Sequence, residues 1–143
     1  SMEDMMVIPE VIRGFNLLEV WNVDTSKGRS NVNVYLNGCI GTVVLSVALE
    51  GNMPDEIVDA FRMILSGLFS RKYSCVIGYC EPEDHKAIRL FRLCNFRREG
   101  VLRGRCSKGN LVSYSLIKEE VDKYDVCKDW EMSEGLQKAG YVR

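Results

Sequence analysis

The most constraining feature of this sequence is a change of hydrophobic period between residues 31 and 70. Residues 31–36 alternate apolar and polar side chains, which is the period of a strand, and residues 39–49 continue as a β-rich run. After a polar break at residues 50–52, apolar residues recur at helical spacing up to about Ser70. The chain must therefore pack a helix against a sheet within one core.

Local signals mark both ends of the run 39–49. Asn37-Gly38 accepts the positive φ angles of a type I′ turn and so predicts a hairpin before this run. Pro54, followed by the acidic residues Asp55 and Glu56, is typical of a helix N-terminus, and Asn52 is a candidate N-cap. We therefore expect the order hairpin, then helix.

The remaining elements follow from the same rules. Strands are predicted at 17–23, 74–79, 96–105 and 111–117, and a second amphipathic helix at 83–94. Asn95 is a plausible left-handed stop for that helix, and the charged tail after Glu119 is expected to form a short helix. The order of three strands, helix, strand, helix and two strands predicts an α/β or α+β domain with a mixed sheet.

Composition favours one globular domain that spans residues 1–143. The hydrophobic share is 46%, and the net charge of -1 gives no strong field toward nucleic acid or acidic membranes. Trp21 and Trp130 have no interleaved basic pattern for stacking on bases. With no visible signal peptide and no apolar run of roughly 20 residues, we expect no membrane association and a cytoplasmic location.

Cysteine spacing argues against a metal site. The chain has six cysteines but no CxxC pair, and its one histidine, His85, cannot complete a familiar zinc site. We interpret the cysteines as reduced and structural. Residues 86–108 are strongly basic and 119–134 acidic; the basic run could serve a phosphate-rich ligand or be an ordinary solvated face.

Residues 87–103 read Ala-Ile-Arg-Leu-Phe-Arg-Leu-Cys-Asn-Phe-Arg-Arg-Glu-Gly-Val-Leu-Arg. This segment resembles the last helix and following strand of the GNAT acetyltransferases, especially the branch that acetylates ribosomal-protein N-termini. Residues 114–120 look like the last strand of that branch, and 36–41 like its early hairpin. The resemblance is best over 81–120 and leaves residues 121–143 as a charged C-terminal tail.

The resemblance implies a fold and an activity. In the family, acetyl-CoA enters a V between two parallel strands, here 41–49 and 74–79, and its pyrophosphate meets the loop 50–53 and the next helix start. A glutamate or a water molecule takes a proton from the acceptor amine. Carried over by position, the glutamate is Glu50, for which the alternative is an ordinary solvated loop acid. The implied acetyl-CoA-binding residues are Leu49, Gly51, Asn52, Asp84, Ala87 and Phe91.

Several positions depart from the family pattern. The loop keeps Gly51 where the family has two or three glycines, so its pyrophosphate loop is degenerate. Asp55 and Glu56 would repel a diphosphate, unless they only complement the helix dipole. Phe91 stands where a tyrosine often protonates the leaving thiolate, and the region before the first hairpin is too short for the usual lid helices, which we expect to be reduced or absent.

Two functions are consistent with these residues. The first is an N-acetyltransferase that moves an acetyl group from acetyl-CoA to an amine acceptor, either a small molecule or a protein N-terminus. The second is a catalytically inactive GNAT-fold binding or structural protein, similar to the reduced GNAT domains of some phage proteins. That second function implies a protein partner or a homodimer.

Overall fold

The computed structural model describes residues 10–106, 109–123 and 136–141. These residues form seven strands, two α-helices and two 3₁₀ turns. The elements in chain order are a 3₁₀ turn (Glu10–Ile12), β1 (Asn16–Asp24), β2 (Gly28–Leu36), β3 (Thr42–Gly51), α1 (Asp55–Ser70), β4 (Cys75–Cys80), α2 (His85–Leu93), β5 (Arg97–Cys106), β6 (Gly109–Ile117), a 3₁₀ turn (Lys118–Lys123) and β7 (Leu136–Tyr141).

The seven strands of the described chain form one mixed sheet. Their order across the sheet is β5-β6-β4-β3-β2-β1-β7. The neighbours β3 and β4 are parallel, and α1 makes the crossover that a parallel pair requires. The other neighbouring strands pair antiparallel. The predicted mixed sheet is therefore confirmed, in the order of elements that the sequence indicates.

Both α-helices pack on the same face of this sheet, which we call the helix face. Their apolar side chains share one core with alternate residues of the strands, including Val43 and Leu45 of β3. The opposite, second face carries a smaller cluster built from Ile12, Tyr35 and Val44. Between residue 10 and β1, the described chain contains one 3₁₀ turn and no α-helix, which agrees with the reduced lid helices expected from the sequence.

Two local predictions differ from the structure. The hairpin between β2 and β3 exists, but residues 37–41 connect it, and Gly38 and Gly41 have positive φ angles while Asn37 does not. It is therefore not a two-residue type I′ turn. The N-cap of α1 is Pro54 rather than Asn52, and no side chain caps this helix. Asn95, with φ of 67°, does stop α2 in the left-handed region.

The C-terminal region also differs from the expected short helix. Residues 118–123 form a 3₁₀ turn, but Leu136–Tyr141 form β7, which pairs antiparallel with β1 and occupies one edge of the sheet. The other edge is β5. The rest of the predicted tail lies outside the described residues. Among the described residues, no helix has the length and apolar character that a membrane span requires.

An ion pair fixes the end of α1 to the sheet. Arg71, directly after α1, donates through Nη2 to Oε1 of Glu19 at 2.9 Å and through Nη1 to Oε2 at 3.2 Å. Trp21 Nε1 donates to the same carboxylate at 2.8 Å. The Glu19 side chain is fully buried, whereas 37% of the Arg71 side chain is exposed. This pair joins β1 to the helix layer from inside the fold.

Candidate functional site

The parallel strands β3 and β4 pair over only part of their length. Their register runs from Thr42 opposite Cys75 to Leu45 opposite Gly78. Beyond these pairs, β3 continues to Gly51 beside β2, and β4 continues beside β6. A gap therefore opens between residues 46–51 and residues 79–80, and we call it the notch. The sheet supplies no partners for the backbone groups that face each other across this gap.

The loop after β3 is held by the turn between β1 and β2. Asn52 N donates to Lys27 O at 3.1 Å. Gly51 has a φ of 79°, and a Cβ added there would lie 2.8 Å from Lys27 O. The backbone approaches Gly28 even more closely, since a Cβ there would overlap the carbonyl oxygen of Asn52. The glycine of the predicted pyrophosphate loop therefore turns the chain at a point where a side chain would be strained.

The mouth of the notch lies between the starts of the two α-helices. Asp84 is the N-cap of α2, and its Oδ1 accepts from Ala87 N at 3.2 Å. Lys86, in the first turn of α2, donates through Nζ to Gly51 O at 2.6 Å. The structure thus brings the predicted residues Asp84 and Ala87 toward the loop that contains Gly51. In the sequence, Lys86 was only the first residue of the basic run 86–108.

Glu50 projects from the second face near the end of β3. Alternate residues of β3, from Val43 to Leu49, pack in the core of the helix face, so Glu50 points to the other side. Its Oε2 accepts from Nη2 of Arg29, the residue opposite on β2, at 2.9 Å. Asp24 Oδ1 lies 3.8 Å from Nε of the same arginine. The carboxylate of Glu50 is 41% exposed and is held in place by this ion pair.

Polar side chains continue from Glu50 along this part of the second face. Asn31 donates through Nδ2 to Oδ1 of Asn22 at 2.8 Å, and both lie one row from the ion pair. Asn31 and Ser46 are buried. We call this set the polar half of the second face: Asn22, Asn31, Ser46 and Glu50. The apolar half of the face, around Tyr35 and Val44, is packed against residues 11–17.

Phe91 lies beneath the start of the notch. Its side chain is 1% exposed and packs on Phe61, Phe96 and Tyr114, with ring centroids 4.9–6.3 Å away. A Cβ added to Gly78 would meet the Cζ atom of Phe91, so the tip of the ring abuts the last residue that pairs with β3. The ring supports the strands at the point where they separate, and it has no hydroxyl to donate a proton.

The remaining predicted site residues are Leu49, Asn52 and Ala87. Leu49 is partly buried and packs on the core of the helix face, while Asn52 is exposed beside Gly51. Ala87 is 2% exposed on the inner side of α2. Leu49, Glu50, Gly51 and Asn52 are consecutive, so their proximity follows from sequence alone. Their contacts with Arg29 and Lys86 do not.

A shallow depression lies beyond the carboxyl end of β4. Its volume is about 190 Å³, and its lining residues are Glu81, Pro82, Glu83, Gly109 and Asn110. Two carboxylic acids border it, so it suits a cationic group better than a phosphate. Among the described residues, no group of three histidine, cysteine or acidic side chains has a geometry that could hold a metal ion.

Three thiols of the described chain are expected to differ sharply in reactivity. Burial raises the pKa of Cys80 and of Cys94 to about 12, and the nearby Asp84 carboxylate adds to this effect at Cys80. A raised pKa leaves almost no thiolate at pH 8. Cys39 is exposed in the hairpin between β2 and β3. With iodoacetamide at pH 8, Cys39 should therefore be alkylated at least tenfold faster than either buried thiol.

Peptide mass spectrometry over a time course measures these three rates in one sample. The denatured protein provides the control, because unfolding should bring the three rates together. Equal rates for Cys39 and Cys80 in the folded protein would contradict the buried environment described for the end of β4.

Comparison with known proteins first gives two negative results. The sequence matches no protein-family model, and a search of curated proteins returns no match. The solved structures, in contrast, include clear structural neighbours, and these are acetyltransferases.

Three of these neighbours illustrate the degree of structural and sequence similarity. Ribosomal-protein-S5-alanine acetyltransferase from Vibrio fischeri superposes with a TM-score of 0.56 at 11% identity, over 63% of this chain and 54% of that one. Aminoglycoside acetyltransferase AAC(6')-Ib in complex with coenzyme A gives 0.52 at 14%, over 68% and 62%. A variant of spermidine N-acetyltransferase from Vibrio cholerae gives 0.52 at 14%, over 71% and 66%.

These likenesses concern the fold. The identities are low, and the match spans about half to two thirds of the length of the three acetyltransferases. A further neighbour, a probable acetyltransferase of the GNAT family from Chromobacterium violaceum, gives a TM-score of 0.58 at 14% identity, over 68% of this chain and 60% of that one. The described chain therefore has the fold of the GNAT acetyltransferases.

Proposed function

We propose that the protein is an acetyl-CoA-dependent N-acetyltransferase. The observation that supports this most is the notch, where β3 and β4 stop pairing after Leu45 and Gly78 and leave backbone groups without sheet partners. An extended pantetheine arm has amide groups that can hydrogen-bond to such an edge. Structural neighbours crystallised with coenzyme A are consistent with a ligand of this type.

The acceptor in this proposal is an amine that approaches from the polar half of the second face. Glu50 lies there and accepts a proton from the amine as its nitrogen attacks the thioester carbon. The C–S bond then breaks, and the CoA thiolate leaves and takes up a proton. Phe91 cannot supply that proton because its ring is buried and has no hydroxyl, so the proton comes from water or from another group.

Arg29 has a positioning role in this scheme. Its guanidinium holds the Glu50 carboxylate 2.9 Å away on the neighbouring strand, which fixes the side chain on the second face beside the notch. The same contact competes with the amine for the carboxylate. Acceptor binding must therefore loosen this ion pair. The free-energy cost is small because both side chains are about half exposed.

Calorimetry with acetyl-CoA, repeated with desulfo-CoA, tests the binding step. We expect both ligands to bind, and Glu50→Gln to keep this binding while acetylation of an amine such as spermidine falls by about 10²–10⁴-fold. Glu119→Gln, an exposed acid in the 3₁₀ turn after β6, is the matched control and should leave the rate nearly unchanged. No heat and no thermal shift at millimolar acetyl-CoA would overturn the proposal.

A second candidate is a GNAT-fold protein that binds a partner without catalysis. Two observations favour it. The Glu50 carboxylate already forms an ion pair with Arg29, and a buried Phe91 stands in place of an accessible tyrosine. A stable homo-oligomer or a specific protein partner, together with absent turnover for every amine tested, is the result that would select this alternative. Fold likeness alone does not decide between the two.

A further inference from the structure

The mouth of the notch is crossed by a contact between distant parts of the chain. Lys86 and Gly51 are 35 residues apart, and the Nζ–O distance is 2.6 Å. Gly51 ends β3, whereas Lys86 belongs to the helix that follows β4, so the bond runs from one side of the notch to the other. Because α1 and α2 pack on the same face, a ligand that enters the notch between their first turns meets this contact.

We propose that Lys86 is a latch that makes the notch selective for ligands with a diphosphate. The inference rests on the proposed function and concerns which ligand opens this site. A diphosphate gives the ammonium group better acceptors than the Gly51 carbonyl, so Lys86 exchanges one partner for another when such a ligand enters. A ligand without phosphate must break the Lys86–Gly51 hydrogen bond and gives the ammonium group no anionic acceptor to replace it.

The charges around the latch give Lys86 a further role. Asp55 and Glu56 lie exposed in the first turn of α1, next to the loop, and Glu83 and Asp84 precede α2. These carboxylates disfavour an anion at the mouth. The Lys86 ammonium, held at Gly51, offsets part of that repulsion in a loop that keeps only one glycine.

The free protein provides the first test. Lys86→Met keeps the length of the side chain but removes its charge and its hydrogen bond. Without the latch, the Asn52 amide, which donates to Lys27 O beside Gly51, should exchange with solvent about fivefold faster. Lys72→Met is the matched control, because Lys72 is an exposed lysine beyond the opposite end of α1. Unchanged exchange at Asn52 in Lys86→Met would overturn the latch.

Calorimetry with CoA and with pantetheine, which lacks the diphosphate, tests the selectivity. In Lys86→Met we expect weaker CoA binding and equal or tighter pantetheine binding, so that the ratio of the two affinities falls about tenfold. Lys72→Met should keep the wild-type ratio. An unchanged ratio in Lys86→Met would overturn the latch and leave the proposed function standing. If wild type and variant bind neither ligand, both the latch and the proposed function fail.

Discussion

Replacement of Arg71 by methionine is expected to lower the free energy of unfolding by about 3 kcal/mol, because it leaves a buried carboxylate without its positively charged partner. Glu19 is fully buried, and its carboxylate accepts two hydrogen bonds from Arg71 and another from Trp21. Loss of one partner from a buried ion pair costs more than the pair itself contributes, since the remaining charge loses its compensation. Urea denaturation of wild type and variant measures the difference.

A double-mutant cycle separates this cause from lost packing. Glu19→Gln keeps an acceptor for Trp21 and Arg71 but removes the buried charge, so the double variant should be less destabilised than the sum of the two single changes. Arg92→Met, which changes an exposed arginine in the last turn of α2, is the comparison and should cost less than Arg71→Met. Additive effects of the two changes would contradict the proposed coupling.

The Glu19–Arg71 pair also shows why such a contact was not predictable from the sequence. Strict alternation from Leu17, which packs on the second face, would put Glu19 on that same face. The register of β1 and β2 shifts between Leu17 and Glu19, and this irregularity turns Glu19 toward the helix face, opposite Val34. A single bulge thus decides that an acidic residue is buried, and the guanidinium of a residue 52 positions away compensates its charge.

Elements whose signal is local were predicted well. The helix after Pro54 and the left-handed stop at Asn95 depend on a few neighbouring residues, and both are present. β7 was missed, since residues 136–141 read Leu-Gln-Lys-Ala-Gly-Tyr and show no strand alternation. This segment becomes a strand because the edge of β1 offers backbone hydrogen bonds, a property of the assembled sheet.

The residues of the candidate site also fall into two groups: those that local sequence signals could place, and those that only the folded structure brings together. Glu50 and Gly51 could be placed at the end of a strand because they follow a continuous β-rich run. Their partners Arg29 and Lys86 come from other elements, and only the strand register and the helix start bring them to the same point. Phe91 could be assigned to a helix, but its contact with Gly78 needs the packed aromatic core.

Replacement of Gly28 by alanine is expected to destabilise the protein by about 3 kcal/mol and to displace the loop at the mouth of the notch. The added Cβ would overlap the Asn52 carbonyl oxygen, which is backbone and cannot rotate away. The surrounding turn is also fixed, because Thr25 Oγ1 donates to Gly28 O at 2.7 Å and Asn52 N donates to Lys27 O at 3.1 Å. Relief of the overlap must therefore break hydrogen bonds that hold the loop.

Gly67→Ala is the matched control for this change. Gly67 lies inside α1, and a Cβ there would have no neighbour within 4 Å, so alanine should stabilise the protein by about 0.5–1 kcal/mol through its better helix propensity. Chemical denaturation of both variants gives opposite signs if local space decides the outcome. A nearly neutral Gly28→Ala would mean that the loop after β3 shifts freely, and a loop that yields so easily could not present Gly51 to Lys86 at a fixed position.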